Sequence, residues 1–351
     1  MPSDNEHADD KSIDSKVESS QEIVKELEAE ASEPSSEDVS GDDGSELEED
    51  LPPTAPLNPE VLQEVLAAVD ETAEEAVSEL DDAPSPLPPI RTERHEPSIH
   101  FAQRCDLGSV RQRNEDSSFA FVAQSGGQQP MLPFALCLVA DGMGGHHAGH
   151  EASRRVAREV VHHVMTRIYL PLIQDRPAGQ SIREVMEDAV SEANRALYTP
   201  DPDKEGGTTL TAVLIIGRRL FLIHVGDSRA YLLQDDQLRI LTKDHTVVQR
   251  LQDAGHITAE EAEKHPHRHL LYKAITGGDI ELDEDTLSLP REGKLLLCSD
   301  GLWGSIPDAQ LKDVLADPEA SLQEQADKLV KMAIDGGSTD NVTAIVVDFR
   351  L

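Results

Sequence analysis

Two apolar runs near the middle of the chain constrain the fold more than any other feature. LTAVLIIG (210–217) and RLFLIHV (219–225) are rich in β-branched residues, which is typical of strands. Only a tight turn at Gly217 and Arg218 separates them. A parallel crossover needs a dozen or more residues, so strands joined this closely must be antiparallel neighbours.

Further strand and helix patterns follow from about Ser98 onward. Strand-like runs cover 134–140, 230–233, 294–299 and 342–349. Helical patterns cover 148–169, 181–198, 247–254, 307–315 and 322–334. Helices that come in pairs between groups of antiparallel strands indicate an α+β fold with sheets inside and helices outside. We expect this domain to occupy residues 96–351.

The first 90 residues have a different composition. They hold 28 Asp and Glu against three Lys and no Arg, a net charge of −25, and they contain no Phe, Tyr or Trp. Such a segment cannot bury enough apolar surface to offset the entropy that its backbone loses on ordering. The sequence therefore predicts an acidic extension over residues 1–95 that is mostly disordered.

Parts of this extension carry a helical pattern. Apolar residues recur at three- and four-residue spacings between Asn58 and Leu80, and more weakly between Gln21 and Glu30. A docking helix for a partner's groove and a transient helix in a solvated tail both explain the pattern, and we favour the second.

The charge of the chain disfavours some partners. Residues 91–351 carry 40 acidic and 28 basic side chains, so both parts of the chain are acidic. Nucleic acid backbones and anionic membrane surfaces would be repelled, so we expect neither as a partner. No window approaches about 18 consecutive apolar residues, and the N-terminus lacks the pattern of a signal peptide. We expect a soluble, cytoplasmic monomer whose three cysteines are reduced core thiols.

Four aspartates stand at the ends of apolar strand-like runs, next to glycines or turn residues. Asp141 follows LCLVA, Asp227 follows LIHVG, Asp300 follows LLLCS, and Asp340 precedes the last run. Each alone is most simply a turn or helix-capping residue. Four of them, reached by strands that pack in one sheet region, indicate a shared site.

Carboxylates gathered without positive partners repel one another, and divalent cations offset that repulsion. The four strand ends carry no His or Cys, so the oxygen donors favour Mg²⁺ or Mn²⁺ over zinc. Gly142 and Gly144 let the backbone approach closely, so a main-chain carbonyl is a further candidate ligand. Two such ions activate water and clamp an in-line displacement at phosphorus, which indicates hydrolytic phosphoryl transfer.

An arginine-containing segment lies upstream of these aspartates. CDLGSVRQRNEDS (105–117) supplies Arg111, Arg113, Glu115 and Asp116 just before a strand. A guanidinium can hold a phosphate through two parallel hydrogen bonds. An Arg–Glu salt bridge at the surface explains the same residues equally well.

Seven motifs follow one another between about residues 98 and 350: DLGSVRQRNEDS, VADGMGGHHAGHEAS, GGTTLTAVLI, HVGDSRAYLL, LTKDHTVVQRLQDAGHITAEEAEKHPHRHLLYKAITG, CSDGLWG and STDNVTAIVVDF. In order and spacing they resemble the metal-dependent Ser/Thr protein phosphatase family, also called the phosphatase 2C type, and its bacterial members above all. The resemblance implies a sandwich of two antiparallel β-sheets flanked by helices on both faces, with a metal site at one end.

The resemblance also implies the ligands of the first ion. Asp141 would bridge two ions, and the carbonyl of Gly142 would be a ligand. Asp300 and Asp340 would complete the shell of the first ion. The ions would be Mn²⁺ or Mg²⁺.

Other residues match further parts of the family's site. Glu115 and Asp116 would hold the second ion, partly through water, and Asp227 would hold a third, weaker one. Arg111 would bind the phosphate. The segment 244–277 matches the flap of bacterial relatives, a helical insertion beside the active site.

One position departs from the animal members of the family. There the residue after the Asp-Gly pair is a His proposed as general acid, and here it is Met143. The proton for the leaving group would then come from metal-bound water or from His146 or His147.

The sequence thus predicts a protein phosphatase that hydrolyses phosphoserine and phosphothreonine through a water or hydroxide bridging two ions. Its partners would be phosphorylated proteins, either a Ser/Thr kinase or that kinase's substrates. None of the cysteines precedes the arginine-bearing loop of thiol phosphatases. The alternative is a catalytically silent regulatory module with the same fold.

Overall fold

The structure, a computed structural model, describes residues 97–126, 131–144, 148–176, 179–199 and 206–351. The predicted disorder of residues 1–95 and the helical pattern between Asn58 and Leu80 lie outside the described residues. His146 and His147 lie outside them as well.

Within these ranges the chain forms twelve β-strands. In chain order they are β1 (Ser98–Asp106), β2 (Ser117–Ala123), β3 (Phe134–Ala140), β4 (Gly142–Met143), β5 (Gly207–Thr208), β6 (Leu210–Ile216), β7 (Arg219–Val225), β8 (Arg229–Gln234), β9 (Gln237–Ile240), β10 (Asp283–Ser288), β11 (Glu292–Cys298) and β12 (Val342–Arg350).

The strands form two five-stranded antiparallel sheets. The first sheet has the order β1-β12-β11-β8-β9 and the second has the order β10-β7-β6-β3-β2. The predicted hairpin joins β6 to β7, where Ile216 pairs with Arg219. Gly217 in its turn has a φ of 58°, which glycine adopts without steric cost. The two short strands β4 and β5 pair separately.

The helices are α1 (Ala148–Val164), α2 (Leu170–Ile173), α3 (Ile182–Leu197), α4 (Val247–Asp253), α5 (Ala259–Lys264), α6 (Asp300–Trp303), α7 (Asp308–Ala316) and α8 (Leu322–Asp335). The helix predicted over 148–169 continues beyond its predicted end, because a π-helical turn at Met165–Tyr169 links α1 to α2. Capping boxes begin three of the helices and explain where they start. Their residue pairs are Ser181 with Glu184, Thr258 with Glu261, and Ser321 with Glu324.

Alternate residues of the central strands face two different cores, as the two-residue period of a strand requires. On β3, Ala135, Cys137 and Val139 face the interior between the sheets. Phe134 and Leu136 face the opposite way and pack on α1 and α3. Helices α6, α7 and α8 cover the outer face of the first sheet in the same manner. The predicted sandwich with helices on both faces is therefore confirmed.

Two smaller points complete the fold. Cys137 and Cys298 are buried as predicted, but Cys105 is exposed, so the prediction of three core thiols is wrong for that residue. It lies near the end of β1, an edge strand, between the exposed Arg104 and the partly exposed Asp106. No helix in the described part of the chain is long and apolar enough to cross a membrane.

Candidate metal centre

The four predicted aspartates come together at one end of the sandwich, but from both sheets. Asp141 follows β3 and Asp227 follows β7, both in the second sheet. Asp300 follows β11 and Asp340 precedes β12, both in the first sheet. The prediction of a single sheet region is therefore wrong in this detail. The antiparallel order places the end of one strand beside the start of the next, so all four residues reach the same edge.

Glu115 and Asp116 join this end of the sandwich from the loop before β2. Both are buried. Asp116 Oδ2 accepts hydrogen bonds from Ser299 Oγ at 2.7 Å and from Thr343 Oγ1 at 2.6 Å. The first sheet therefore orients Asp116, although its strand belongs to the second.

Asn341 holds the loop that carries these two acids. Its Oδ1 accepts the backbone N–H of Glu115 at 2.7 Å, and its Nδ2 donates to the carbonyls of Leu107 and Arg113. The sequence analysis assigned Asn341 no role, although it lies directly after Asp340 in a quoted motif. A buried amide that makes three bonds to one loop fixes that loop's path.

Gly142 lies where only glycine fits. A Cβ at this position would lie 2.3 Å from the carbonyl oxygen of Gly149 and 2.7 Å from that of Glu115. Its N–H donates to the Glu115 carbonyl at 3.1 Å. The preceding residue is held in the same way, since Asp141 N–H donates to Thr209 Oγ1 at 2.9 Å. The backbone that carries Asp141 is thus packed tightly against α1 and the Glu115 loop.

The aspartates are buried among like charges. Burial raises the pKa of Asp116 to about 7, against the hydrogen bonds from Thr343 and Ser299, which lower it. Burial also raises the pKa of Asp141 and Asp227 well above the usual value, and the charges of the other aspartates raise it further. The pKa of Asp300 is raised by burial and then by the charge of Asp340. The folded protein thus brings together carboxylates whose charges repel one another.

The donors fit hard divalent cations. Two buried carboxylate oxygens, Asp116 Oδ1 and Asp300 Oδ1, have no hydrogen-bond partner among the described residues. The carboxyl group of Asp300 also lies close enough to that of Asp141 to interact with it, and two ionised carboxylates can only accept hydrogen bonds. Oxygen donors of this kind suit Mg²⁺ or Mn²⁺.

The carboxylates do not form a finished coordination shell. No group of three or more His, Cys, Asp or Glu side chains within the described ranges is arranged to hold an ion as it stands. Hydroxyl groups occupy one oxygen of Asp116, and Arg111 occupies one oxygen of Asp340. The structure therefore supports a metal site through the chemistry and burial of its donors, and the assignment of individual ligands stays a prediction.

Arg111 lies at the exposed side of this cluster. Its Nη2 donates to Asp340 Oδ2 at 2.7 Å, and the side chains are 44% and 35% exposed. This hydrogen bond is the main reason that the pKa of Arg111 is raised. Arg111 therefore forms an ion pair with Asp340 rather than the Arg–Glu pair that the sequence left open, and its predicted phosphate-binding role stays a prediction.

The segment 244–277, here called the flap, adds a residue that the sequence analysis did not assign to the site. His269 Nδ1 lies 3.7 Å from Asp300 Oδ2, and its side chain is 55% exposed. His269 ends the HPHRH run (265–269), whose histidines lack the spacing typical of a zinc site, so only the folded chain reveals this proximity.

The chain is similar to known proteins in sequence and in fold. A family model described as Protein phosphatase 2C matches residues 111–333. The serine/threonine protein phosphatase PstP of Mycobacterium tuberculosis is 42% identical over 255 residues, which are 71% of this chain and 45% of that protein. The serine/threonine phosphatase stp of Listeria innocua is 34% identical over 261 residues, 72% of this chain and 97% of that protein.

A solved structure is also similar. The catalytic domain of PstP in complex with two manganese ions superposes with a TM-score of 0.59 at 38% identity, and the match covers 72% of this chain and 99% of that one. The present chain thus spans less than half the length of the mycobacterial relative that it matches.

Proposed function

The chain belongs to the protein phosphatase 2C family, and from this we propose that it is a Mn²⁺- or Mg²⁺-dependent phosphatase that hydrolyses phosphoserine and phosphothreonine in proteins. The relatives named above are serine/threonine phosphatases, and one of them binds two manganese ions.

One observation carries the proposal. Acids from both sheets and from the loop before β2 converge at one end of the sandwich, and two of their buried oxygens have no hydrogen-bond partner within the part of the chain that the structure describes. Uncompensated buried carboxylates cost folding free energy, so their presence is best explained by a cationic ligand.

Each residue of the cluster has a proposed role in holding the ions. Asp141, Asp300, Asp340 and the carbonyl of Gly142 would hold the first ion. Glu115 and Asp116 would hold the second together with Asp141, and Asp227 would hold a weaker third one. When bound, such ions lower the pKa of water and neutralise charge on a phosphoryl group.

Other side chains of the protein would orient a metal ligand and bind the substrate. Ser299 and Thr343 orient Asp116 through its Oδ2 and leave Oδ1 unpaired. Arg111 would move from Asp340 to the phosphoryl oxygens, because its guanidinium is exposed at the mouth of the cluster. His269, beside Asp300, would face the peptide that carries the phosphate.

The proposal also covers the substrates, the cellular location and the oligomeric state of the enzyme. Its substrates would be phosphorylated proteins of the cytoplasm, and it would oppose one or more Ser/Thr kinases. The acidity of the chain supports substrates other than nucleic acids, and we propose that it acts as a monomer.

Turnover of a phosphothreonine peptide and of p-nitrophenyl phosphate by the full chain tests the proposal. We expect activity that requires Mn²⁺ or Mg²⁺ and is abolished by EDTA. A protein that binds phosphopeptides without hydrolysing them, at any concentration of either metal, would instead be a silent binding module.

A further inference from the structure

Arg229, near the metal centre, contacts the side chains of three other residues. It lies two residues after Asp227, at the start of β8. Its Nε and Nη2 donate to the two carboxylate oxygens of Asp244 at 2.9 and 2.7 Å, and its Nη1 donates to Tyr231 Oη at 3.3 Å. Its guanidinium carbon lies 3.5 Å from the centre of the Trp303 ring. Both partners of the ion pair are mostly buried, with side-chain exposures of 18% and 7%.

Trp303 connects this arginine to two predicted ligands. It is the last residue of α6, and Asp300 is the first residue of the same single-turn helix. Its Nε1 donates to the carbonyl oxygen of Asp227 at 2.9 Å. One side chain therefore contacts the segment of Asp227 and belongs to the helix of Asp300.

Asp244 connects the same arginine to the flap, of which it is the first residue. The backbone next to it is fixed as well, since His245 N–H donates to the carbonyl of Gly226 at 2.7 Å. The flap returns to the body where Ile275 pairs with Thr208, whose hydroxyl donates to the carbonyl of Asp141. The base of the flap is thus bonded to the segments that carry Asp227 and Asp141.

From these contacts we propose that Arg229 and Trp303 are positioning residues that join the base of the flap to the metal centre. They hold the backbone of Asp227 and the helix of Asp300 in a fixed relation to Asp244. Ion binding at the aspartates and closure of the flap would therefore favour each other, as coupled equilibria must do reciprocally. This inference rests on the proposed function, because it takes the aspartates as ion ligands.

The geometry requires arginine at this position. Only a planar guanidinium can bond both oxygens of a carboxylate, bond a phenol at the opposite edge and stack on an indole face. A lysine would keep the charge but lose the two parallel bonds and the stacking. Partners of this outer kind change metal affinity by about 10- to 100-fold when they are removed.

Four proteins test the inference: the full-length wild type, Arg229→Lys, Trp303→Phe, and the control Arg183→Lys. The control makes the same exchange at an ion-paired arginine on the surface, whose side chain is 65% exposed. Trp303→Phe keeps an aromatic ring, although a smaller one, and removes the donor to Asp227. Thermal unfolding of each protein in EDTA establishes that it is folded.

Two measurements on each protein follow. Isothermal titration calorimetry gives the affinity for Mn²⁺. Limited trypsin digestion, with and without Mn²⁺, gives the rate of cleavage within the flap, at Arg250, Lys264 or Arg268. We expect Mn²⁺ to slow this cleavage in the wild type and in the control. In Arg229→Lys the Mn²⁺ affinity should fall by about tenfold, and cleavage should no longer respond to the ion. Trp303→Phe should change both quantities in the same direction.

The inference would be wrong if Arg229→Lys bound Mn²⁺ as tightly as the wild type and its flap cleavage still responded to the ion. It would also be wrong if Mn²⁺ did not change the rate of flap cleavage in the wild type. If Arg229→Lys does not fold, Trp303→Phe decides by the same criteria. Phosphatase assays on the wild type keep the two proposals separate. A wild type without turnover, together with the expected Mn²⁺ and cleavage results, would contradict the proposed function and leave this inference standing.

Discussion

Two groups of acids at the same end of the sandwich differ in what compensates their charge. At the base of the flap, Asp244 is bonded through both oxygens to Arg229, and Asp283 is 3.1 Å from Lys273. In the metal centre, Asp141 and Asp300 lie among other aspartates, and burial and mutual repulsion raise their pKa. Among the described residues, Asp244 and Asp283 are thus paired with Arg229 and Lys273, whereas Asp141 and Asp300 lie mainly among other acids.

The buried acids of the two groups therefore differ in their effect on the stability of the folded protein. A buried acid with its own arginine contributes to the folded state, and removing either partner leaves a buried charge unpaired. A buried acid without such a partner costs free energy until a cation binds. Substitutions in the two groups should consequently have opposite effects on stability and on activity, and each of the following measurements tests one side of that contrast.

The largest effect is expected on turnover when a metal-centre acid is neutralised. Asp141→Asn should lower kcat on a phosphothreonine peptide by at least about a hundredfold, or about 3 kcal/mol, because the bridging position loses its charge. Kinetics with saturating Mn²⁺ measure this loss. The control is Asp313→Asn on the exposed face of α7, which should retain wild-type kcat. Unchanged turnover in Asp141→Asn would show that Asp141 does not act as predicted.

A flap-base acid should affect stability instead. Asp244→Asn leaves Arg229 buried without its carboxylate, so the free energy of unfolding should fall by about 3 kcal/mol. Urea denaturation in EDTA gives the value. The control is Asp253→Asn, which breaks an exposed pair with Lys243 and should cost less than about 1 kcal/mol. Equal losses in the two variants would contradict the contrast drawn between buried and exposed pairs.

Much of the fold follows from local patterns in the sequence. The turn at Gly217 and Arg218 requires an antiparallel pair, and the helical periods of 181–198 and 322–334 match α3 and α8 within about two residues. Strand ends with Asp beside Gly also indicated the site. These signals are local, because turn length, capping and period depend on neighbouring residues.

The rest depends on contacts between distant parts of the chain. That the aspartates come from two sheets depends on the order of the strands, which no local pattern contains. Asn341 and Trp303 acquire their roles only through partners more than 70 residues away. Cys105 lies on a strand that pairs on one side only, and its exposure follows from that edge position rather than from its residue type.

A buried histidine near the base of the flap should make stability depend on pH in one direction. His224 is buried, and burial lowers its pKa to about 3, which the charge of neighbouring His245 lowers further and that of Asp283 opposes. The unfolded chain takes up this proton near pH 6.5. Its contribution to stability is thus present above about pH 6.5 and is lost as the pH falls toward 3.

The variant His224→Gln isolates this contribution. We expect it to be less stable than the wild type at about pH 7, with the difference shrinking by about 2 kcal/mol at about pH 5. Urea denaturation at both pH values measures the change, and the exposed His256→Gln serves as control. A difference that stays constant with pH would mean that His224 has the same pKa in the folded and the unfolded protein.

The smallest predicted effect is a gain in stability when Asp300 is neutralised, and it depends on whether Mn²⁺ is bound. Burial raises the pKa of Asp300 in the folded protein, so its contribution to stability is present below the unfolded pKa of about 3.9 and is lost as the pH rises through the higher folded value. In EDTA at about pH 7.5, the free energy of unfolding of Asp300→Asn should therefore be higher than that of the wild type. At about pH 4 the free energies of unfolding of the two proteins should be nearly equal.

Saturating Mn²⁺ should make the wild type the more stable protein, because it gains binding free energy that Asp300→Asn lacks. A variant that is less stable than the wild type in EDTA at every pH would mean that Asp300 is compensated within the protein, as Asp244 is, and the contrast between the two groups of acids would fail there.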